Sequence, residues 1–200
     1  AVEAVRPGVR ETQIAAAADR AMWEEGAQNL AFATKVASGR RAGELSSLAT
    51  KRKIGSNDTV IVDLGCVYRG YSSDLTRTVY VGQPSRILQD AKEAVVQTRR
   101  ELLHGLRSGT SLAILGEQVT RAFSSRGLSF ALYHPSHGIG IDVVEPPTLS
   151  RYQNEPLGSG TTLMLEFCIN LPGKGGYGFE DMLFFGSRQV EVVSKSLPVQ

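Results

Sequence analysis

The chain has 200 residues with 22 Lys and Arg against 20 Asp and Glu, so its formal net charge is only +2. Hydrophobic residues make up 42% and charged residues 21%, which is typical of a globular chain and excludes a disordered one. This charge favours neither nucleic acid nor an anionic membrane as a partner. No apolar stretch reaches the roughly 18 residues that a membrane span requires, and two cysteines are too few for a disulfide framework. These features predict a cytoplasmic protein.

The amino terminus carries no signal-peptide pattern, and the first methionine is Met22. A chain that begins with Ala1 is expected to be a processed or truncated piece of a longer protein. At about 150 residues per domain, residues 1–200 are expected to form a single domain. Whether an upstream amino-terminal domain has been lost is left open.

Hydrophobic periodicity predicts an α+β chain with a mostly antiparallel sheet and helices on one face. Residues 11–25 and 112–126 are typical of amphipathic helices, and a long helix is predicted over 84–106 with Ser85 as its N-cap. Short β-branched or alternating runs predict strands over 30–36, 59–63, 71–81, 161–171, 177–185 and 189–193.

An internal repeat relates residues 6–26 to residues 107–127 at a constant offset of 101. Each segment reads as a turn, an amphipathic helix and a glycine that ends the helix. The aligned glycines are Gly8 with Gly109 and Gly26 with Gly127. Two amphipathic helices can share letters by chance, but agreement without a gap at both ends favours a true repeat. The sequence therefore predicts two similar halves about a pseudo-twofold axis.

Four carboxylates interrupt runs that are otherwise typical of buried strands. They are Asp63, Asp74, Glu166 and Glu180. An ionised carboxylate in an apolar strand is costly unless it is paired, hydrogen-bonded or bound to a metal. Because the pairs follow the two repeated helices at similar intervals, the pseudo-twofold axis would bring all four together. Their repulsion would be relieved by two divalent cations, so the repeated placement favours a dinuclear metal site over four ordinary strand residues.

Two of the three histidines, His134 and His137, lie three residues apart and precede the run Gly138-Ile139-Gly140. An HxxH pair alone is a weak indication of a metal site, but beside inward carboxylates it supplies a nitrogen ligand. The third histidine, His104, lies near the end of the predicted helix 84–106. A cationic side chain there interacts favourably with the helix dipole, so His104 is interpreted as structural.

Three segments resemble the signatures of the pita-bread metallopeptidases, the superfamily of prolidase, Xaa-Pro aminopeptidase, methionine aminopeptidase and creatinase. Residues 63–82 resemble the first metal-binding signature, residues 134–150 the histidine motif, and residues 163–185 the paired glutamate strands. The resemblance covers nearly the whole chain and is greatest to the Xaa-Pro peptidase branch. It implies a single pita-bread catalytic domain with two pseudo-symmetric halves and a curved, mostly antiparallel sheet.

The resemblance also implies a centre of two divalent ions, which in this family are usually manganese, cobalt, zinc or iron. The implied ligands are Asp63, Asp74, His137, Glu166 and Glu180. Asp63 would hold one ion, His137 and Glu166 would hold the other, and the remaining two carboxylates would bridge them. In such enzymes a metal-bridging water attacks the amide, and the glutamate at the position of Glu166 helps to move its proton.

The chain departs from the family pattern around the expected substrate pocket. Val144 stands where the family's peptidases usually carry a histidine, Gly178 replaces an arginine of the prolidase branch, and residues 44–49 lack another family histidine. His134 is the remaining histidine near the expected metals and is assigned a catalytic role. Val144 and Tyr71 are assigned to substrate binding.

These observations favour a Xaa-Pro aminopeptidase- or dipeptidase-like metallopeptidase that acts on a peptide or a small amide. The alternatives are a diverged metal-dependent hydrolase or lyase of a small non-peptide metabolite, similar to ectoine hydrolase or creatinase, and a catalytically impaired relative. A non-enzymatic binding module is disfavoured, because it has no use for a costly carboxylate cluster. A homodimer is left open, and no nucleic-acid or membrane partner is expected.

Overall fold

The computed structural model describes residues 1–44, 47–128, 132–133, 136–148 and 156–195. The α-helices are α1 (Glu11–Glu24), α2 (Arg86–Gly105) and α3 (Leu112–Ser124), and short 3₁₀ helices cover Val2–Ala4 and Gly39–Gly43. The strands are β1 (Asn29–Leu30), β2 (Lys35–Ser38), β3 (Thr59–Leu64), β4 (Cys66–Tyr68), β5 (Tyr71–Ser72), β6 (Leu75–Tyr80), β7 (Leu132–Tyr133), β8 (His137–Gly138), β9 (Glu145–Thr148), β10 (Thr162–Leu171), β11 (Gly175–Phe185) and β12 (Val190–Val192). Within this part of the chain, no helix combines the length and apolarity that crossing a membrane requires.

The strands form three sheets, and every described strand pair is antiparallel. Two three-stranded sheets have the orders β1-β4-β5 and β2-β3-β6. The third has the order β12-β11-β10-β8-β9, with β7 also paired to β10. The predicted α+β class with a mostly antiparallel sheet is therefore confirmed. Ser85 is the N-cap residue of α2, as its sequence predicts.

Two of the predicted strands are divided in the structure. The predicted strand 30–36 corresponds to β1 and β2, and the predicted strand 71–81 corresponds to β5 and β6. In both cases the chain passes from one sheet to another, which apolar alternation cannot reveal. At the second break, Ser73 Oγ accepts a hydrogen bond from Cys66 N at 3.0 Å, and Ser73 N donates to Cys66 O at 2.8 Å. Asp74 follows at this crossing and lies outside both ladders.

The repeat found in the sequence has a structural counterpart at both ends of its helix. α1 and α3 begin 101 residues apart, and the four aligned glycines have positive φ angles between 68° and 93°. Glycine adopts this left-handed conformation without the steric cost that other residues meet. Gly8 N donates to Ile54 O at 2.8 Å, and Gly109 N donates to Leu157 O at 2.7 Å. Each half therefore begins with the same turn, held by an equivalent backbone contact.

The apolar core is divided unequally between the two halves. The larger cluster packs α2 and α3 against β10 and β11, and the Phe123 and Phe167 rings stack with centroids 6.1 Å apart. The smaller cluster packs α1 against β2 and β3 around Ile14, Val36 and Val62. Burial of apolar surface is the main stabilising contribution, at about 25 cal/mol per Å². The larger cluster, built where α2 and α3 cover β10 and β11, therefore contributes more than the smaller one.

The two halves meet where β6 packs against β11. Thr78 Oγ1 donates to Gly178 O at 2.8 Å and accepts from Gly178 N at 2.8 Å. A Cβ on Gly178 would lie only 2.8 Å from Thr76 Cγ2, so a side chain at this position would push the two strands apart. The buried Arg77 also donates to Glu180 O. These contacts bring the carboxylates of the first half beside those of the second.

Candidate metal centre

A cavity of about 590 Å³ is lined by residues from both halves. Asp63 and Asp74 reach it from the first half, and His137 and Glu166 reach it from the second. Glu180 is fully buried behind the cavity surface, with its exposed fraction at 0%. The structure therefore gathers all five predicted ligands around one place.

Asp74, His137 and Glu180 form the tightest cluster of candidate ligands among the described residues. One ligand atom of each lies within 4.8 Å of the other two. His137 Nε2 is 3.8 Å from Asp74 Oδ2 and 4.0 Å from Glu180 Oε1. His137 Nδ1 lies 2.9 Å from Gly138 O, and because a carbonyl only accepts, this bond places the proton on Nδ1. In this tautomer Nε2 is the ring atom that faces the carboxylates, and it can serve as the metal ligand.

The carboxylates of the cluster are buried close to one another. Burial, followed by the negative charges of Asp63 and Glu166, raises the pKa of Asp74 to about 8. Burial and the charges of Asp74, Glu166 and Asp63 raise the pKa of Glu180 well above its usual range. Both Glu180 oxygens, Asp74 Oδ1 and Asp63 Oδ1 are buried without a hydrogen-bond partner in the described chain. Unpartnered carboxylate oxygens that converge beside an imidazole fit a divalent cation.

Glu166 is positioned by strand register. It lies directly opposite Glu180 in the β10–β11 ladder, so the two side chains project from the same face. Cys168, two residues further along β10, donates its thiol hydrogen to Glu166 Oε1 at 3.1 Å. Burial raises the pKa of Glu166, and the Cys168 hydrogen bond opposes that rise. Glu166 N also donates to Ser136 Oγ at 3.1 Å.

Lys35 also lines the cavity, although the sequence did not identify it as a candidate site residue. It is the cross-strand partner of Asp63 in the β2–β3 ladder, and its Nζ lies 2.7 Å from Asp63 Oδ2. Burial of the amine opposes its protonation, but Asp63, Asp74 and Glu166 outweigh this and raise the pKa of Lys35. A lysine at the start of an apolar strand was the only signal in the sequence, and strand pairing was needed to interpret it.

The other candidate residues differ in where the structure places them. Val144 lines the cavity beside Val143 and is 60% exposed. Tyr71 is not brought to the cavity, because it lies in the β4–β5 hairpin with 65% of its surface exposed. His134 lies outside the described residues. His104 is exposed near the end of α2, and its Nδ1 lies 2.8 Å from Arg100 O, away from the cavity.

Known proteins resemble this chain in both sequence and fold. Residues 1–186 match the profile of metallopeptidase family M24. The chain belongs to this family. It is 29% identical to the Xaa-Pro dipeptidase of Pyrococcus furiosus over 197 residues, which are 98% of this chain and 57% of that protein.

Solved structures of M24-like proteins have the same fold. The X-Pro aminopeptidase from Thermotoga maritima MSB8 superposes with a TM-score of 0.94 and 29% identity, over 100% of this chain and 56% of that one. The Xaa-Pro dipeptidase from Bacillus anthracis superposes with a TM-score of 0.93 and 31% identity, over 98% of this chain and 55% of that one. The pita-bread fold is thereby confirmed, and the chain spans little more than half the length of these relatives. Membership in a metallopeptidase family implies a divalent metal, and the cluster of Asp74, His137 and Glu180 fits one.

Proposed function

We propose that this chain is the catalytic domain of a dinuclear metallopeptidase that cleaves Xaa-Pro bonds. The proposal is carried by the convergence of buried carboxylates and one imidazole on a single cavity between the halves. The names of the relatives, Xaa-Pro dipeptidase and X-Pro aminopeptidase, support this substrate class. A cavity of about 590 Å³ has room for a dipeptide or for the end of a longer peptide.

The proposed metal ligands are the five converging residues, with Asp74 and Glu180 shared between two ions. Divalent ions held this way supply a nucleophile at neutral pH and polarise a carbonyl oxygen. Asp63 is the proposed carboxylate of the first half for one ion. His137 and Glu166 are the proposed second-half ligands of the other. Metal analysis of the purified protein identifies the ion, for which manganese, cobalt, zinc and iron are the candidates.

Glu166 is the proposed proton-transfer residue. Its carboxyl lines the cavity beside the other proposed ligands, where a carboxylate can accept a proton from the attacking water. The Cys168 thiol donates a hydrogen bond to Glu166 Oε1 and so fixes the orientation of the Glu166 carboxyl group. His134 is the proposed second catalytic group, because it is the remaining histidine of those that the family resemblance leads us to expect around the metals.

The activity is tested with metal-loaded protein and three substrate sets: Ala-Pro, Xaa-Pro-Xaa peptides, and non-peptide amides. We expect hydrolysis of a Xaa-Pro bond that a chelator abolishes. Glu166→Gln should lower kcat by about 10²- to 10⁴-fold, since that is the usual contribution of a positioned acid–base group. The exposed Glu117→Gln is the matched control and should leave kcat unchanged. A loaded protein that cleaves none of the Xaa-Pro peptides contradicts the proposal.

A second candidate, hydrolysis of a small non-peptide amide, is favoured by the wall of the cavity. Val144 lines it, beside Val143, at the position where the resemblance leads us to expect a histidine, and Gly178 contributes no arginine. Valine cannot donate a hydrogen bond to a developing oxyanion, whereas an apolar wall suits a different substrate.

Val144→His distinguishes the two candidates. In an impaired Xaa-Pro peptidase, the new imidazole should raise cleavage of Xaa-Pro peptides by up to about 10²- to 10⁴-fold. In an enzyme for another substrate, it should give little peptidase activity and should lower the native activity. A wild-type protein that already cleaves Xaa-Pro peptides at ordinary rates would show that the activity needs no histidine at position 144.

A further inference from the structure

A second cavity, separate from the candidate metal centre, is lined mainly by cationic side chains. It has a volume of about 400 Å³ and lies between the 3₁₀ helix Gly39–Gly43, the start of β3 and the turn that joins β10 to β11. Among the described residues Asp58 is the only carboxylate that lines it. The cationic residues that line it are Arg40, Arg41, Arg52 and Lys174. This charge suits an anion and not a metal ion.

Two of the four cations already have a counter-charge within the protein. Arg41 forms an ion pair with the buried Glu11, and Arg52 Nη1 lies 2.6 Å from Asp58 Oδ2. The other two cations, Arg40 and Lys174, are exposed, and the side chain of neither forms a hydrogen bond or an ion pair with the described part of the chain. Two positive charges of the cavity are therefore left without a counter-charge.

The inner wall of the cavity is closely packed and contains a hydroxyl without a partner. The Arg52 guanidinium packs on Gly39, where a Cβ would lie only 2.5 Å from Nη2. A Cβ on Gly175, at the end of the β10–β11 turn, would lie 2.6 Å from Gly39 O and 3.1 Å from Thr59 Oγ1. Thr59 also lines the cavity, and its buried Oγ1 has no hydrogen-bond partner among the described residues. A buried hydroxyl is costly without an acceptor, and a bound oxyanion supplies one.

We propose that this second cavity binds a phosphate group. A phosphate dianion matches the two charges of Arg40 and Lys174, and a guanidinium binds phosphate oxygens through paired N–H donors. Thr59 Oγ1 is the hydroxyl donor of the inner wall. Free inorganic phosphate and a small phosphomonoester present the same group, and both are used as probes below. The site is distinct from the metal cavity, because the 3₁₀ helix separates them: its first three residues line the phosphate cavity, and its last two line the metal cavity.

Isothermal titration calorimetry with inorganic phosphate at constant ionic strength tests the proposal, on Mn²⁺-loaded protein and on protein dialysed free of metal and chelator. Both forms should bind one phosphate with a Kd of about 1 mM or lower. Arg40→Gln should weaken this binding by at least about tenfold, since it removes a charge-assisted hydrogen bond. Thr59→Val removes the hydroxyl and should weaken binding by at least about threefold. Arg188→Gln removes an exposed arginine of the β11–β12 turn and should leave Kd unchanged.

The outcomes distinguish this cavity from the metal centre. Phosphate binding that requires Mn²⁺ and persists in Arg40→Gln would place the anion at the metals and overturn the proposal. Metal-free protein that binds no phosphate, or that binds it equally well as wild type and as Arg40→Gln, would also overturn it. Phenyl phosphate that binds more tightly than inorganic phosphate would identify a phosphomonoester as the ligand, and the reverse order would identify the free ion. Because Arg40 is exposed and unpaired within the described chain, Arg40→Gln should fold, which circular dichroism checks.

Discussion

In the first half of the chain α1 begins with Glu11, whereas α3 begins at the matched position of the second half with Leu112. Both side chains are fully buried. Glu11 accepts hydrogen bonds from the backbone and hydroxyl of Ser38 and of Thr50, and it forms an ion pair with Arg41. Leu112 instead belongs to the large apolar cluster. The same helix start is thus fixed by polar bonds in one half and by apolar packing in the other.

The candidate site has the same asymmetry. In the first half, β2 places Lys35 opposite Asp63, and the Lys35 ammonium forms an ion pair with the Asp63 carboxylate. In the second half, β8 pairs with β10 and places His137 near the glutamates, where neutral imidazole is a metal ligand. A repeated framework therefore carries different chemistry at related positions.

This comparison shows which features a duplicated framework retains. Backbone turns, such as those at Gly8 and Gly109, stay alike because few residues tolerate their conformation. Side chains between the turns can differ between the halves, as long as every buried polar group has a hydrogen-bond partner. The function proposed for the cavity depends on these changed side chains.

The largest expected effect on metal binding comes from the carboxylate at the centre of the cluster. Glu180→Gln should weaken Mn²⁺ binding by at least about 100-fold, since outer-shell changes alone cost 10- to 100-fold. Dialysis followed by metal analysis measures it, with Glu117→Gln as the control. Wild-type Mn²⁺ affinity in Glu180→Gln would show that Glu180 is not a metal ligand.

Glu11→Leu tests the comparison of the helix starts by giving α1 the residue of α3. It should lower the free energy of unfolding by about 3–5 kcal/mol, because Arg41 and its neighbours lose a buried partner. Urea denaturation measures this loss. Leu112→Met is the volume-matched control in the other half and should cost less than about 1.5 kcal/mol. A loss below that value for Glu11→Leu would show that the polar network contributes little.

Stability should depend on pH in opposite directions for Glu11 and for the site carboxylates. The pKa of Asp74 is raised from 3.8 to about 8, so the folded state retains a proton that the unfolded chain releases. This contribution is complete below about pH 4 and is lost as the pH rises towards 8. Without metal, unfolding free energy should fall by about 1.4 kcal/mol per pH unit for each such proton.

Urea denaturation between about pH 4 and pH 8, with chelator and with Mn²⁺, measures how steeply the free energy of unfolding falls with pH. Bound Mn²⁺ should make this fall less steep, and so should Asp74→Asn. Burial opposes the ionisation of Glu11, but its hydrogen bonds and Arg41 lower its pKa, so its stabilising effect is instead lost at acid pH. Metal-free stability that rose between pH 5 and pH 8 would contradict the expected burial of the site carboxylates.

The smallest expected effect concerns the thiol beside Glu166. Cys168→Ala removes a hydrogen bond of about 1 kcal/mol from the ionised carboxyl, so the pKa of Glu166 should rise by less than about one unit. The pH below which Mn²⁺ affinity declines should rise by the same amount. Cys168→Ser keeps a donor and should restore the profile, while Cys66→Ala should leave it unchanged. A Cys168→Ala profile identical to that of the wild type would show that the thiol does not bond the ionised carboxyl.

Much of the site could be predicted because its residues violate the pattern around them. Asp63 and Glu166 stand out in apolar strands, and His137 stands out beside a Gly-Ile-Gly run. Lys35 and Cys168 gave no such signal, since their partners are found only when the strands are paired. Glu11 looked like an ordinary acidic residue in the first turn of a helix. Tyr71 was assigned to substrate binding, but it lies in the β4–β5 hairpin and is not among the residues that line the cavity.

The sequence by itself determined the two repeated helix starts and the α+β class. It also determined which charged residues lie in buried strands and therefore need a partner. These are local properties, set by backbone preference and by the cost of desolvating charge. Only the tertiary structure decided which charges meet. The packing of β6 on β11 brings Asp74 to His137 and Glu180, and the register of β2 on β3 brings Lys35 to Asp63. Such contacts join residues distant in the chain, so no local pattern encodes them.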